Sequence, residues 1–286
     1  MRHTARRRVF SRILLSVIAT ILLVCFLLWV ILLLSDAGVR VRHPDEERID
    51  LSPILSKETL TEEDYALLYR QTGLTKIGID RAREHGAGGT SRVRIIQRDY
   101  LYDWEVRHDH FAPLMCTDFL SGGRHAYHIY LEDGDILLTA STHFSAFRMG
   151  HAGIVTNGAR SEVLQAVAYG DNSYIGSPED FTDHASFMIL RPKAGSAVAK
   201  AAADYARENL MDIPYNAFAG VLTDRNSNSS TQCALLVWKA YQAAGVNLAE
   251  GKETVILPYT LANSDELEVV QVFGFDPDTL WDSLFY

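Results

Sequence analysis

Cys233 is the residue in this chain best placed to do chemistry. It opens a predicted helix, Gln232–Ala244, directly after a polar loop that runs from Asp224 to Ser230. Exposed backbone N–H groups and the helix dipole at such a position favour a thiolate over a thiol. The same N–H groups can hold the oxyanion of a tetrahedral intermediate. A thiol nucleophile also needs a base, most often histidine, and a group that orients the base. His151 meets the first need, because it begins a predicted strand, His151-Ala152-Gly153-Ile154-Val155, after Gly150. The two small residues behind it let another element approach closely. Gln165 meets the second: it is a polar residue inside the apolar run Val163-Leu164-Gln165-Ala166-Val167, and an inward-facing amide there needs a partner. Two neighbouring antiparallel strands would set Gln165 against His151.

The elements that must position these residues follow from the pattern around them. Asp135–Thr139, His151–Val155, Val163–Ala168, Ser186–Leu190 and Leu267–Phe273 read as strands. Ser196–Leu210 and Gln232–Ala244 read as helices, the second stopping at Gly245. Strands and helices do not alternate regularly, so the class is α+β with an antiparallel sheet. Upstream, Thr61 followed by Glu62-Glu63-Asp64 signals a helix start, and Gly73 a stop. A second helix is expected over Ile77–Glu84, and Val93–Tyr102 reads as extended. The chain divides into a basic tail (1–12), an apolar span (13–34), a linker (35–60), a mixed accessory region (61–130) and a catalytic domain (131–286).

Several short segments together resemble the circularly permuted papain-like group of the NlpC-type superfamily, and its YiiX-like members in particular. They are Gly134-Asp135-Ile136-Leu137, Gly150-His151-Ala152-Gly153-Ile154-Val155, Val163-Leu164-Gln165-Ala166, Pro214-Tyr215-Asn216 and Cys233-Ala234-Leu235-Leu236-Val237-Trp238, with Pro258-Tyr259 resembling the closing segment. The similarity covers roughly residues 134–272, with the histidine strand ahead of the cysteine helix. It implies Cys233 as nucleophile, His151 as base and Gln165 at the third polar position. Tyr215 is expected near the site as an oxyanion or substrate contact. Two residues depart from the group: the third position is often acidic and here is Gln165, and the residue after the nucleophile is often Ser and here is Ala234. A neutral amide can orient the ring but stabilises an imidazolium less than a carboxylate does.

Composition sets the setting. The 286 residues carry a formal charge of −9, which gives no footprint for nucleic acid. The first 34 residues hold five arginines (Arg2, Arg6, Arg7, Arg8, Arg12) and no acid; the rest hold 22 basic and 36 acidic side chains, a net −14. Ile13–Leu34 is a run of 22 uncharged residues, about 33 Å of helix, long enough to span a hydrocarbon core. Its length favours an uncleaved signal anchor over a cleaved signal, with Cys25 as a lipid-facing or packing residue. Arginines ahead of the span place the N-terminus in the cytoplasm and the body outside. The expectation is a membrane-anchored, extracytoplasmic cysteine hydrolase cleaving an amide, in cell-wall peptide or an acyl amide or ester. No cofactor and no metal ligand set is expected: His108, His110, His125, His128 and His143 lack a recognised metal motif and rank as structural or surface residues. The alternative is a non-catalytic envelope binding or scaffold protein in which Cys116 is bridged to Cys233.

Overall fold

The computed structural model describes residues 2–112, 114–249 and 253–285. It is an α+β structure with two antiparallel sheets and an apolar N-terminal helix. Helix α1 (Arg2–Gly38) contains the apolar segment, of mean hydropathy 3.0 over Arg12–Leu33 and with none of it buried, which suits a membrane anchor or a signal sequence. The side chains of residues 1–11, and with them Arg2, Arg6, Arg7 and Arg8, lie outside the described part. A short helix, α2 (Ser52–Leu55), follows; α3 (Glu62–Thr72), α4 (Lys76–Glu84) and α5 (Gly86–Tyr100) form a helical layer.

Two strands, β1 (Val106–Ala112) and β2 (Met115–Leu120), come next, then β3 (Ile136–Thr139), β4 (Thr142–Phe144), β5 (Phe147–Arg148), β6 (His151–Asn157), β7 (Glu162–Gln165) and β8 (Tyr174–Gly176). The chain closes with α6 (Glu179–Thr182), β9 (Phe187–Pro192), α7 (Ser196–Asn209), α8 (Cys233–Ala243), α9 (Pro258–Ala262) and β10 (Leu267–Phe273). The larger sheet runs β10-β9-β3-β6-β7-β8 and the smaller β1-β2-β4-β5.

The larger sheet is covered on both faces, and its sequences show why. Successive strand residues point to opposite sides. Ile136 and Leu138 join Ala152, Ile154 and Leu164 in a core with α7 and α8, while Leu137, Val155 and Val163 join a second core with α3, α4 and α5. Ile136-Leu137-Leu138 can therefore be apolar without alternation. Helix α8 is buried at every position from Cys233 to Tyr241, including Lys239. The first turn of α3 is held by a capping box: Asp64 N–H donates to Thr61 Oγ1 (3.3 Å) and Thr61 N–H to Asp64 Oδ2 (3.0 Å).

One expectation about local structure changes. Val93–Tyr102 is not extended; residues to Tyr100 are helical in α5, which opens at Gly86 just after α4 ends at Glu84. Val93, Ile96 and Tyr100 recur at helical spacing and are buried together, which outweighs the β-branched composition. Within the segment 35–60, Leu51, Leu55 and Leu60 are buried in the core with residues of α3–α5. Strands on either side of residue 130 also pair with one another, β2 with β4, so the accessory region and the rest share a sheet.

Candidate active site

Gln232 builds the start of α8. Its backbone is extended, and its side-chain oxygen accepts the Ala234 N–H at 2.8 Å in the manner of a helix cap. Its amide nitrogen donates to the Ile256 carbonyl at 2.6 Å, which fixes the cap to the segment before α9. Cys233 therefore stands at a rigid first turn and is 9% exposed. Its thiol lies 3.5 Å from Gln232 Oε1, and the nearby backbone N–H groups of Ala152, Ala234 and Cys233 itself favour its charged form. The first of these donors belongs to the residue next to His151.

Pairing register places His151 and its partner. Thr139 lies opposite His151, and Gly153 lies opposite Gln165 where the β6–β7 ladder ends. His151 and Gly153 share a face, so Gln165 is the diagonal neighbour of His151. His151 Nε2 is 2.8 Å from Gln165 Oε1. An amide oxygen only accepts, so Nε2 carries the proton and Nδ1 keeps a lone pair for base chemistry. The imidazole stacks on Phe181, with centroids 5.2 Å apart and planes 13° apart. A side chain at Gly153 would meet Phe181 Cζ at 2.8 Å, which explains the small residue there. Gly150, at φ +69°, turns the chain into β6 where a Cβ would strike the Thr139 carbonyl and the Trp281 ring.

The chain of hydrogen bonds does not end at Gln165. Its amide nitrogen donates to Asp180 Oδ2 at 2.5 Å, and the same oxygen accepts the Ser177 N–H at 3.0 Å. A carboxylate thus stands one step behind the amide and fixes which way the amide points. Sequence reasoning missed Asp180 and Phe181, which sit on α6, a helix of four residues too short to leave a periodic pattern. An acidic residue 15 positions after a buried strand amide was the only available signal.

Burial dominates the electrostatics. It pushes the Cys233 thiol up to about 11, although the three N–H groups pull the other way. It drives His151 down to about 4, against the Gln165 hydrogen bond and aided by the charge of nearby His184. The resting pair at neutral pH is a thiol and a neutral imidazole, which suits proton removal in step with nucleophilic attack.

Tyr215 lies by Cys233: burial, and then the cysteine's charge, raise its pKa, and its ring meets Tyr169 edge-on at 5.5 Å. Pro214-Tyr215 aligns with Thr231, just ahead of the Cys233 turn. Asp135 of the Gly134-Asp135 segment is structural, clasped by Arg191 through two bonds of 2.8 and 2.9 Å. The Cys116–Cys233 bridge of the alternative reading is not formed; both are free thiols, Cys116 on the smaller sheet beside Asp118 and Cys233 on α8 beside Gln232. His128 contacts the Ile129 carbonyl and His125 the Tyr127 ring. Comparison of the chain with family models, with curated proteins and with solved structures returns no match.

Proposed function

We propose that the protein is a membrane-anchored cysteine hydrolase with its body outside the cytoplasm, acting on an amide or ester through Cys233, His151 and Gln165. The observation that carries this reading is the convergence at the start of α8. The Cys233 thiol lies near the Ala152 backbone, and the preceding residue, His151, is oriented by an amide that is itself fixed by Asp180. The resemblance to permuted papain-like proteins of the NlpC type supports the same assignment from the order of the motifs.

In this mechanism His151 takes the thiol proton as Cys233 sulfur bonds to the substrate carbonyl carbon, and the Cys233 N–H helps hold the oxyanion. Collapse breaks the carbonyl carbon–nitrogen or carbon–oxygen bond, and the imidazolium returns the proton to the leaving group. Water, deprotonated by the same ring, then releases the acid and regenerates the thiol. Tyr215, with Tyr169 against its ring, would contact the acyl portion. Candidate substrates are cell-wall peptides and acyl amides.

Full-length protein in detergent, treated with a thiol-reactive acyl probe, tests the proposal. Wild type should be labelled at Cys233 and acylation should fall about 10²-fold or more in His151→Ala. Labelling that is equal in wild type, Cys233→Ala and His151→Ala would rule the hydrolase out.

A further inference from the structure

The smaller sheet gathers a second set of reactive side chains that the hydrolase reading does not use. Register places His108 opposite Asp118, His110 opposite Cys116, and Cys116 opposite His143, so all five project from one face. Asp118, Cys116 and His143 are each at most 1% exposed. Asp118 stands between two imidazoles, with Oδ1 at 2.7 Å from His108 Nδ1 and Oδ2 at 3.1 Å from His143 Nε2. Cys116 Sγ lies 3.7 Å from Asp118 Oδ1. Asp36, near the end of α1, completes the cluster: it contacts His110 at 3.0 Å, and donor atoms of Asp36, Cys116 and His143 lie within 4.8 Å of one another. Those of His108, Cys116 and Asp118 do the same.

We propose that this face binds one divalent transition-metal ion of the zinc class through His108, Cys116, Asp118 and His143, with Asp36 at its edge. The geometry around Asp118 is the first argument. His108 and His143 each turn a ring nitrogen on it, and the Cys116 thiol converges on the same carboxylate. His143 Nδ1 is 2.6 Å from the Ser145 carbonyl, which can only accept, so Nε2 is the ring nitrogen that would ligate. A backbone carbonyl accepting the far N–H of the ring is also the usual support for a metal-ligating histidine.

Charge and chemistry agree. A divalent ion with one thiolate, one carboxylate and two neutral imidazoles is neutral overall, which is what a site this deeply buried requires. The nitrogen, sulfur and oxygen donors suit Zn2+ rather than Mg2+ or Ca2+. Bonds of about 2.0–2.3 Å let groups spaced in this way close on one ion by side-chain rotation. The ion would tie β1, β2 and β4 together and bring the end of α1 against them.

The test uses full-length protein in detergent, purified without chelator, with metal content measured by mass spectrometry. Apo-protein is then titrated with Co2+, whose bond to a thiolate gives a charge-transfer absorption. Stoichiometric zinc, and a Co2+–thiolate band that Zn2+ abolishes, are expected in wild type and in Cys233→Ala. Cys116→Ser should lose the band, and His143→Gln should bind Zn2+ at least about tenfold more weakly. Folded wild-type protein that gives no thiolate band would overturn the site, as would Cys116→Ser and His143→Gln binding Zn2+ like wild type. If either variant fails to fold, the wild-type band and its competition by Zn2+ decide. Acyl labelling of Cys233 is a separate readout, so the metal site and the hydrolase can fail independently.

Discussion

Burial favours the neutral ring of His151 in the folded protein, which makes stability depend on pH and would do the same for the proposed acylation. Its pKa falls from 6.5 to about 4 on folding, because burial penalises the charged ring. As pH drops below 6.5 the unfolded chain takes up the proton first, so the folded state loses ground progressively down to about 4 and no further. The full effect is about 3 kcal/mol. Chemical denaturation at neutral pH and near pH 4.5 should show the loss in wild type and a much smaller one in His151→Phe. The acid limb of acylation should fall near pH 4, well below the ordinary histidine range. Alkylation of Cys233 should keep accelerating into alkaline solution, since its thiol titrates near 11. In the proposed hydrolase Asp180 would act at one remove, as a positioning residue. Asp180→Asn keeps the shape but can turn the Gln165 amide round, presenting N–H to His151 Nε2 and forcing the ring into the wrong tautomer. Acylation should fall by about 10²-fold while the melting temperature moves little, and the pH profile should shift with it. An unchanged profile would show that Asp180 only supports the fold.

At the scale of elements, the parts legible in the sequence are those whose local preference agrees with their tertiary setting. Thr61 and Gly73 bound α3 as its capping residues, and the Cys233 helix and the His151 and Gln165 strands stand within a residue or two of their expected limits at most ends. Gln165 was legible because a polar residue in a buried strand needs a partner, and the partner is His151. Val93-Arg94-Ile95-Ile96 was misread because its β-branched residues suggest a strand, whereas packing against α3 and α4 selects the helix. The metal-type cluster was illegible because its members lie on three separate strands and only their register brings Cys116 opposite His143. The same dependence on pairing makes the Asp135–Arg191 clasp an element-level test. It joins the turn before β3 to β9, with Asp135 1% and Arg191 14% exposed at the side chain. Arg191→Met strands a buried carboxylate and should cost about 3–5 kcal/mol, read as a lowered melting temperature. The double variant Asp135→Leu/Arg191→Met should recover much of that loss, because the buried carboxylate is removed with its partner while Glu132, which also meets Arg191, keeps Arg81.

For the whole molecule, the net charge of −9 averages two regions of opposite sign. Helix α1 carries five arginines ahead of its apolar span, and a body of net −14 follows. At about 1.5 Å per residue, its 37 residues run well past a hydrocarbon core of roughly 30 Å, which leaves Asp36 beyond the span. Asp36 meets His110 of the smaller sheet, so the body begins almost where the apolar segment ends. The proposed orientation rests on charge asymmetry: moving five guanidinium groups across a bilayer is unfavourable, which would keep them on the cytoplasmic side of an anchored chain. Protease added to intact cells should then digest the body and spare a tag placed before Met1. Replacing Arg2, Arg6, Arg7, Arg8 and Arg12 together by Gln should produce a mixed population, with part of the body protected. Wild-type protein whose body resists external protease, but is digested once the membrane is permeabilised, would place Cys233 in the cytoplasm. That outcome would exclude extracellular wall peptide as substrate while leaving the chemistry of the Cys233–His151 pair open to acyl amides inside the cell.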